Sequence, residues 1–322
     1  MVEEKSLEDD KIRQIVRERY AQVAVGRQEA ASCCGSSTPT ETPTVSCCGS
    51  STSTENLNTS ACSSSACSPI TLPAEKAEEF IDKYSSKLGY TEEDLKSVPK
   101  GANLALGCGN PTAHASIKEG ETVLDLGAGG GLDCFIAANK VGKSGKVIGV
   151  DMTPQMIDKA RENARKGNYE NIEFRLGEIE NLPVANDTVD LIISNCVINL
   201  SPSKERVFNE AFRVLKPGGR MMISDIVLLK ELPDLIKENK DAYVGCISGA
   251  IMKNKYLGLI KKAGFKDVEI MEESTFSTID FLLDDPVIKE ALEEQGRSIE
   301  DLKNLDEFIT NSSIKVKAIK PN

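Results

Sequence analysis

The chain has no tryptophan, a single histidine (His114), and aromatic residues at only 5% of its 322 positions. A mechanism built on a histidine base therefore has one candidate, and a zinc site would have to be nearly all thiolate. Basic residues are outnumbered: 39 Lys and Arg against 50 Asp and Glu give a net charge of −11. That balance argues against nucleic acid or an anionic membrane surface as the main partner, because both are held by clustered Lys and Arg. No apolar run approaches the ~18–20 residues of a membrane span. The opening stretch, MVEEKSLEDDKIRQIVRERY, is charged, so no secretory signal is visible and a cytoplasmic location is expected. Against these absences stand ten cysteines. In the cytosol disulfides are seldom structural, which brings metal binding, catalysis or redox cycling forward.

The chain divides by composition into 1–70, 71–226 and 227–322. Residues 3–29 read as a polar amphipathic helix, with Ile12, Ile15, Val16 and Tyr20 at helical spacing. Ser and Thr make up roughly half of 32–68, and SCCGSST occurs twice, at Ser32–Thr38 and Ser46–Thr52. With almost nothing apolar to bury, this segment is expected to be a flexible arm that carries thiols. Helical patterning resumes from Pro73, with Thr91 as a cap before EEDL. From Glu121 strands and helices alternate. The strands expected are Thr122–Leu126, Lys146–Asp151, Ile172–Leu176, Val189–Ser194 and Arg220–Asp225. Short apolar strands alternating with helices imply a parallel sheet covered on both faces. After Asp225 the alternation stops for an insertion containing VGCISGA and a helix ending at Gly264. Two further strands are expected, Asp267–Met271 and Ile314–Ile319.

The sharpest local signal is TVLDLGAGGGLDC, a strand ending in Asp125 followed by Gly127, Gly129 and Gly131. A dinucleotide fingerprint, G-x-G-x-x-G, would need glycine at Leu132. The match is instead to D-x-G-x-G-x-G, the pattern of S-adenosylmethionine (SAM) methyltransferases. Asp151 closes the second strand in VIGVDMT, GEIENLP follows the third, and LKPGGR precedes the fifth. The expected fold is therefore α/β: a Rossmann-like class I SAM-dependent methyltransferase. Its seven-stranded, mostly parallel sheet would carry a lid insertion after strand five and the flexible Cys-rich arm. In such a sheet ligands sit at the carboxyl ends of the strands. Gly127–Gly131 would hold the methionine end of SAM, Asp151 the ribose, and Met152 would pack on adenine. Glu178 and Ile179 would border the adenine ring, with Glu178 an acceptor for its amino group.

Strand four runs into SNCVINL. Many amino-methylating SAM enzymes carry N/D-P-P-Y there, but here Asn195 is followed by Cys196, with no aromatic clamp. Cys108, in LALGCGNP, lies within chain reach of the SAM pocket, and Cys246 sits in the insertion. Three thiols from different parts of the chain can thus converge over the methyl donor, although no CxxC spacing marks a metal site. Cys134, at the start of a helix, reads as core packing.

SNCVINL, GCGNP, DLGAGGGLDC, VDMTPQM and the Cys246 loop together resemble the arsenite methyltransferases, from the Cys-rich arm to about Gly264. The resemblance implies trivalent arsenic, the substrate, held on Cys108, Cys196 and Cys246. As(III) is soft, and thiolates are suitable ligands for it. Three sulfurs leave a lone pair on the open face of the pyramid, in position to attack the SAM methyl. That nucleophile carries no proton, so no general base is needed. Alignment alone can supply ~7–11 kcal/mol. A further round of methylation needs reduction back to As(III), which a thiol pair can supply by becoming a disulfide. In the family an N-terminal cysteine pairs with the one corresponding to Cys108. The arm offers Cys33, Cys34, Cys47, Cys48, Cys62 and Cys67, of which Cys62 and Cys67 are nearer in sequence. Thioredoxin or glutathione would regenerate the resting enzyme, and a monomer is expected. Two other readings remain open from the residues: a SAM methyltransferase of a small organic acceptor, and a non-catalytic thiol protein that binds metalloids.

Overall fold

The computed structural model describes residues 2–25, 74–232, 243–244, 246–275 and 311–322. The arm with its six cysteines, including Cys62 and Cys67, lies outside the described residues, as do residues 233–242 of the insertion. Four helices precede the sheet: α1 (Val2–Val25), α2 (Ala74–Lys87), α3 (Glu92–Lys96) and α4 (Pro111–His114). Next come β1 (Thr122–Leu126), α5 (Leu132–Val141), β2 (Lys146–Asp151), α6 (Pro154–Lys166), β3 (Ile172–Leu176) and β4 (Val189–Asn195). A short 3-10 turn at Ile198–Leu200 leads to α7 (Lys204–Val214) and β5 (Leu215–Leu228). The last described elements are α8 (Lys253–Lys262), β6 (Lys266–Ser274) and β7 (Asn311–Ile319).

The strands form one sheet in the order β3-β2-β1-β4-β5-β7-β6. β1 to β5 are parallel, and β7 runs antiparallel between β5 and β6, the seven-stranded and mostly parallel sheet expected. Both faces are covered, which is why the inner strands read as continuous apolar runs. Leu124, Leu126, Ile148, Ile192 and Ile223 face Val207, Phe208, Ala211 and Val214 of α7 and Tyr256 and Ile260 of α8. Val123, Val147, Leu191, Ile193 and Met222 face Phe135 and Ala138 of α5 and Ile157 and Ala160 of α6. The period of two in the strands meets the period of three to four in the helices. Phe208 and Tyr256 meet edge-on at 5.4 Å and tie α7 to α8, so Phe208→Ala would cost about 3–5 kcal/mol.

Local chemistry sets the ends. Thr91 caps α3 in a reciprocal box with Asp94, as its position before EEDL predicts. Four strands are longer than their sequences suggest: β4 by Asn195, β6 at both ends, and β5 and β7 most at their starts. β5 begins at Leu215 rather than Arg220, because Leu215 pairs with Val189 and a register shift before Leu191 absorbs the Pro-Gly-Gly turn formers. β7 begins at Asn311 rather than Ile314, because Ser312 and Ser313 pair with Val227 and Ile226. Those serines are buried yet satisfied; the Ser313 hydroxyl donates to the Cys108 carbonyl at 2.9 Å.

Sheet register brings Leu126, Asp151, Asn195 and Ser224 to one edge, the carboxyl ends of four parallel strands. β1 and β4 are neighbours there, and the chain leaves them in opposite directions across the sheet. That switch point is where open α/β sheets leave a crevice.

Candidate active site

A cleft enclosing about 1050 Å3, part of it open to solvent, occupies this crevice. Its floor is the β1–α5 loop. The Gly127 and Ala128 amides donate to the Val150 carbonyl at 2.7 and 3.0 Å, tying the loop to β2. Gly129 has φ +52, and a Cβ there would meet open cleft rather than protein. A left-handed backbone facing empty space is what close approach of a ligand requires. The Gly129 amide donates to Asp151 Oδ2 at 3.0 Å and the Thr153 amide to Oδ1 at 2.8 Å. Burial pushes the Asp151 carboxyl up, and those amides oppose the shift.

Of the residues expected to hold a cofactor, Asp125, Gly127, Gly129, Asp151, Met152, Ile179 and Asn195 line the cleft. Gly131 and Glu178 do not. Gly131 is the left-handed N-cap of α5, backed by the Phe135 ring. The Glu178 carboxylate faces Arg13 and Arg17 of α1 at 3.6 and 3.5 Å, while its neighbours Gly177, Ile179 and Glu180 line the wall. Asp125 is buried and raised by desolvation, accepting a hydrogen bond from the Cys134 thiol at 3.2 Å. Cys134 itself is fully buried in the α5 core.

Cys108, Cys196 and Cys246 come together beside the cleft, and of the three Cys196 alone is among the residues that line it. They are 5%, 5% and 4% exposed and share one buried cluster with Val16 and Leu200. The Cys108 and Cys196 sulfurs lie within 4.8 Å of each other. The Cys246 thiol donates to the Cys196 carbonyl at 3.0 Å. Hydrogen bonds from its two neighbours, then burial, hold the Cys196 thiol well above its ordinary value, and burial raises Cys108. Cys196 has φ 59 and Cys246 φ 64. A left-handed backbone costs a residue with a Cβ about 1–2 kcal/mol, and such strain collects at functional sites.

Asn195 sets the third thiol. Its Oδ1 accepts from the Cys108 amide at 3.0 Å, and its Nδ2 donates to the Gly109 carbonyl at 2.7 Å and the Tyr90 hydroxyl at 2.9 Å. The glycines around Cys108 are needed for this approach: a Cβ on Gly107 would land on the Asn195 amide, and one on Gly109 on the Ser224 hydroxyl. Tyr90 also donates to Asp133 at 2.7 Å, and burial pushes that carboxyl up to about 6.

Two parts of the site carry little sequence signal. Arg13, Val16 and Tyr20 bring α1 into the cleft wall, with Arg13 at 3.5 Å from the buried Glu180. The apolar stripe of α1 was legible, but its target was not. Asp225 is 1% exposed and beside the thiols; its one sequence cue is a place at the carboxyl end of a parallel strand. His114 pairs with Glu272 at 3.2 Å and is not among the residues lining the cleft.

The family described as Methyltransferase domain matches residues 117–264. A crystal structure of CrArsM, an arsenic(III) S-adenosylmethionine methyltransferase from Chlamydomonas reinhardtii, superposes with a TM-score of 0.54 at 34% identity, covering 74% of this chain and 73% of that one. The chain belongs to the arsenite methyltransferase family. The arsenite methyltransferase of Halobacterium salinarum is 45% identical over 268 residues, 83% of this chain. That of Aquipseudomonas alcaligenes is 39% identical over 184 residues, 55% of this chain. The chain spans 61% and 53% of the lengths of these two curated arsenite methyltransferases. The sheet described above is the class I SAM-dependent methyltransferase fold of that family.

Proposed function

We propose that this protein transfers methyl groups from SAM to trivalent arsenic held on Cys108, Cys196 and Cys246. The observation that carries this is the convergence of three buried thiols, from three separate segments, beside a glycine-loop cleft that Cys196 lines. The residues fit SAM: Gly129 leaves open space for its close approach, Asp151 offers a half-buried carboxylate, and Met152 and Ile179 offer apolar wall. When bound there, SAM supplies an electrophilic methyl group on a sulfonium centre. The chain's own part is capture, alignment and exclusion of water. Each thiol gives its proton to a hydroxyl of arsenous acid as the As–S bond forms, so three waters leave and no base is consumed. The As(III) lone pair needs no deprotonation, in keeping with a cleft wall that does not include His114.

In the same reading the thiols of Cys108 and an arm cysteine, Cys62 or Cys67, supply the two electrons that return arsenic to As(III), losing their protons as they join in a disulfide. Thioredoxin or glutathione then restores the thiols. The protein works as a cytoplasmic monomer without nucleic acid or membrane. Among the described residues no helix is long and apolar enough to cross a membrane.

The test is to incubate wild type and Cys196→Ser with SAM, arsenite and glutathione, and to separate arsenic species by chromatography with elemental detection. Methylated arsenic from wild type alone is expected. Its absence from wild type, with SAM binding intact, would overturn the proposal in favour of an organic acceptor.

A further inference from the structure

Asp225 has no task in methyl transfer, yet it is buried against the thiols. One of its carboxylate oxygens and the Sγ atoms of Cys108 and Cys196 lie within 4.8 Å of one another. Cys246 stands outside this group, its thiol donating to the Cys196 carbonyl at 3.0 Å. Two sulfurs and one oxygen, all buried, match in type and number the three protein donors of an open tetrahedral site for a borderline-soft divalent cation, with water in the fourth position. Trivalent arsenic differs, because three sulfurs complete its pyramid and a lone pair fills the fourth direction. We propose that Cys108, Cys196 and Asp225 bind Zn2+ or Cd2+, and that this cation excludes the trivalent metalloid from the same two thiols. The site shares its thiols with the arsenic chemistry but does not rest on it, since the donor set stands whatever the cleft methylates.

The carboxylate is oriented for ligation. Asp225 Oδ1 accepts from Asn199 Nδ2 at 2.8 Å and from the Ile226 amide at 3.0 Å, which fills its two lone pairs. Oδ2 accepts only from the Tyr256 hydroxyl, at 2.9 Å, among the described residues, and keeps one lone pair for a metal. Ligands fixed by such outer hydrogen bonds bind metal more tightly. Binding moves no electrons. Each thiol proton passes to water as its metal–sulfur bond forms, and the ion stays divalent. Three anionic donors leave one negative charge in excess. Lys204, 9% exposed, is the nearby cation; its Nζ donates to the Asn199 and Ser201 carbonyls, and it interacts electrostatically with Asp225 and Cys246.

The experiment uses the full-length chain with Cys33, Cys34, Cys47, Cys48, Cys62 and Cys67 changed to Ser, so that arm thiols do not contribute. The reduced protein is titrated with Cd2+, followed by the ultraviolet cadmium–thiolate charge-transfer band, and separately with arsenite by calorimetry. One Cd2+ per chain is expected. Asp225→Asn should weaken Cd2+ by about 10–100-fold and change arsenite affinity by less than about threefold. This variant keeps the local bonds, because its Oδ1 still accepts from Asn199 and Ile226 and its amide can donate to the Tyr256 oxygen. Asp225→Ser, which removes the carboxylate without adding bulk, gives a second reading of the same quantity. Cys108→Ala should weaken both ligands. Equal Cd2+ affinity with and without the carboxylate, or equal losses for Cd2+ and arsenite, would overturn the proposal.

Discussion

Cys196 combines a thiol that the site needs with a backbone that a Cβ disfavours. At φ 59 it occupies the conformation that glycine tolerates best. Replacing it separates the two properties. Cys196→Gly and Cys196→Ala both lose the thiol and should both lose arsenic methylation. Cys196→Gly relieves the strain, so it should melt above Cys196→Ala by an amount equivalent to about 1 kcal/mol, read by urea denaturation. Equal stabilities would mean that the left-handed backbone carries no cost here. The same logic explains why two of the residues named for the cofactor, Gly131 and Glu178, miss the cleft. A motif fixes spacing along the chain but not the direction of each residue. Gly131 turns under Phe135 to start α5, and Glu178 points outward to Arg13 and Arg17 while Ile179 and Glu180 face in.

Among the elements, the GCGNP loop and α1 decide whether the thiols meet. Asn195 holds the loop at two points, its amide reaching the Cys108 amide and the Gly109 carbonyl across 87 and 86 residues of sequence, beside the Ser313 hydroxyl on the Cys108 carbonyl and the Tyr84 hydroxyl on the Gly107 carbonyl. Asn195→Ala leaves the Cys108 amide and the Gly109 carbonyl without that partner, at about 1–3 kcal/mol. It should lower stability by that much and raise the arsenite KM more than it lowers kcat, because Cys108 is loosened while the cofactor loop stays intact. An unchanged KM would mean that the Cys108 loop holds its place without Asn195. α1 closes the other side. Val16 is 1% exposed within the thiol cluster, Lys159 of α6 donates to the Ala24 carbonyl at 3.2 Å, and Tyr20 reaches the Val244 carbonyl. Val16→Asp puts a carboxylate into an apolar cluster, which is expensive without a partner. The helix should detach. Limited proteolysis should then cut within residues 2–25 faster than in wild type and arsenite affinity should fall, while the melting of the sheet domain stays unchanged. A variant as resistant as wild type would show that α1 is not held by this contact.

Across the whole molecule the sheet was the most legible feature. Five apolar runs, three of them followed by a helical pattern, point to a parallel sheet with a crevice at its carboxyl ends. Cys108, Cys196 and Cys246 could be named because each lies in a distinctive segment. Asp225 could not, because the sequence marks it only as the last residue of an expected strand, and only the pairing of β5 with β4 and β7 brings it beside the thiols. The site gathers several buried carboxyls, and their titration should appear in global stability. Burial pushes Asp133 and Asp225 up to about 6, against about 3.9 in an unfolded chain. The folded state therefore binds these protons more tightly. Their contribution is complete below about pH 4 and is lost as pH rises through about 6. Asp133→Asn should flatten the dependence of the urea midpoint on pH across that window, and an unchanged slope would mean that Asp133 titrates normally.

The central claim is that arsenic sits on three thiols of this cleft. Arsenic K-edge X-ray absorption on the full-length chain, arm cysteines changed to Ser and loaded with one equivalent of arsenite, tests it directly. Three sulfur neighbours and no oxygen are predicted, with one sulfur replaced by oxygen in Cys196→Ser. An arsenic shell that keeps its oxygens, or one unchanged by Cys196→Ser, would contradict the account.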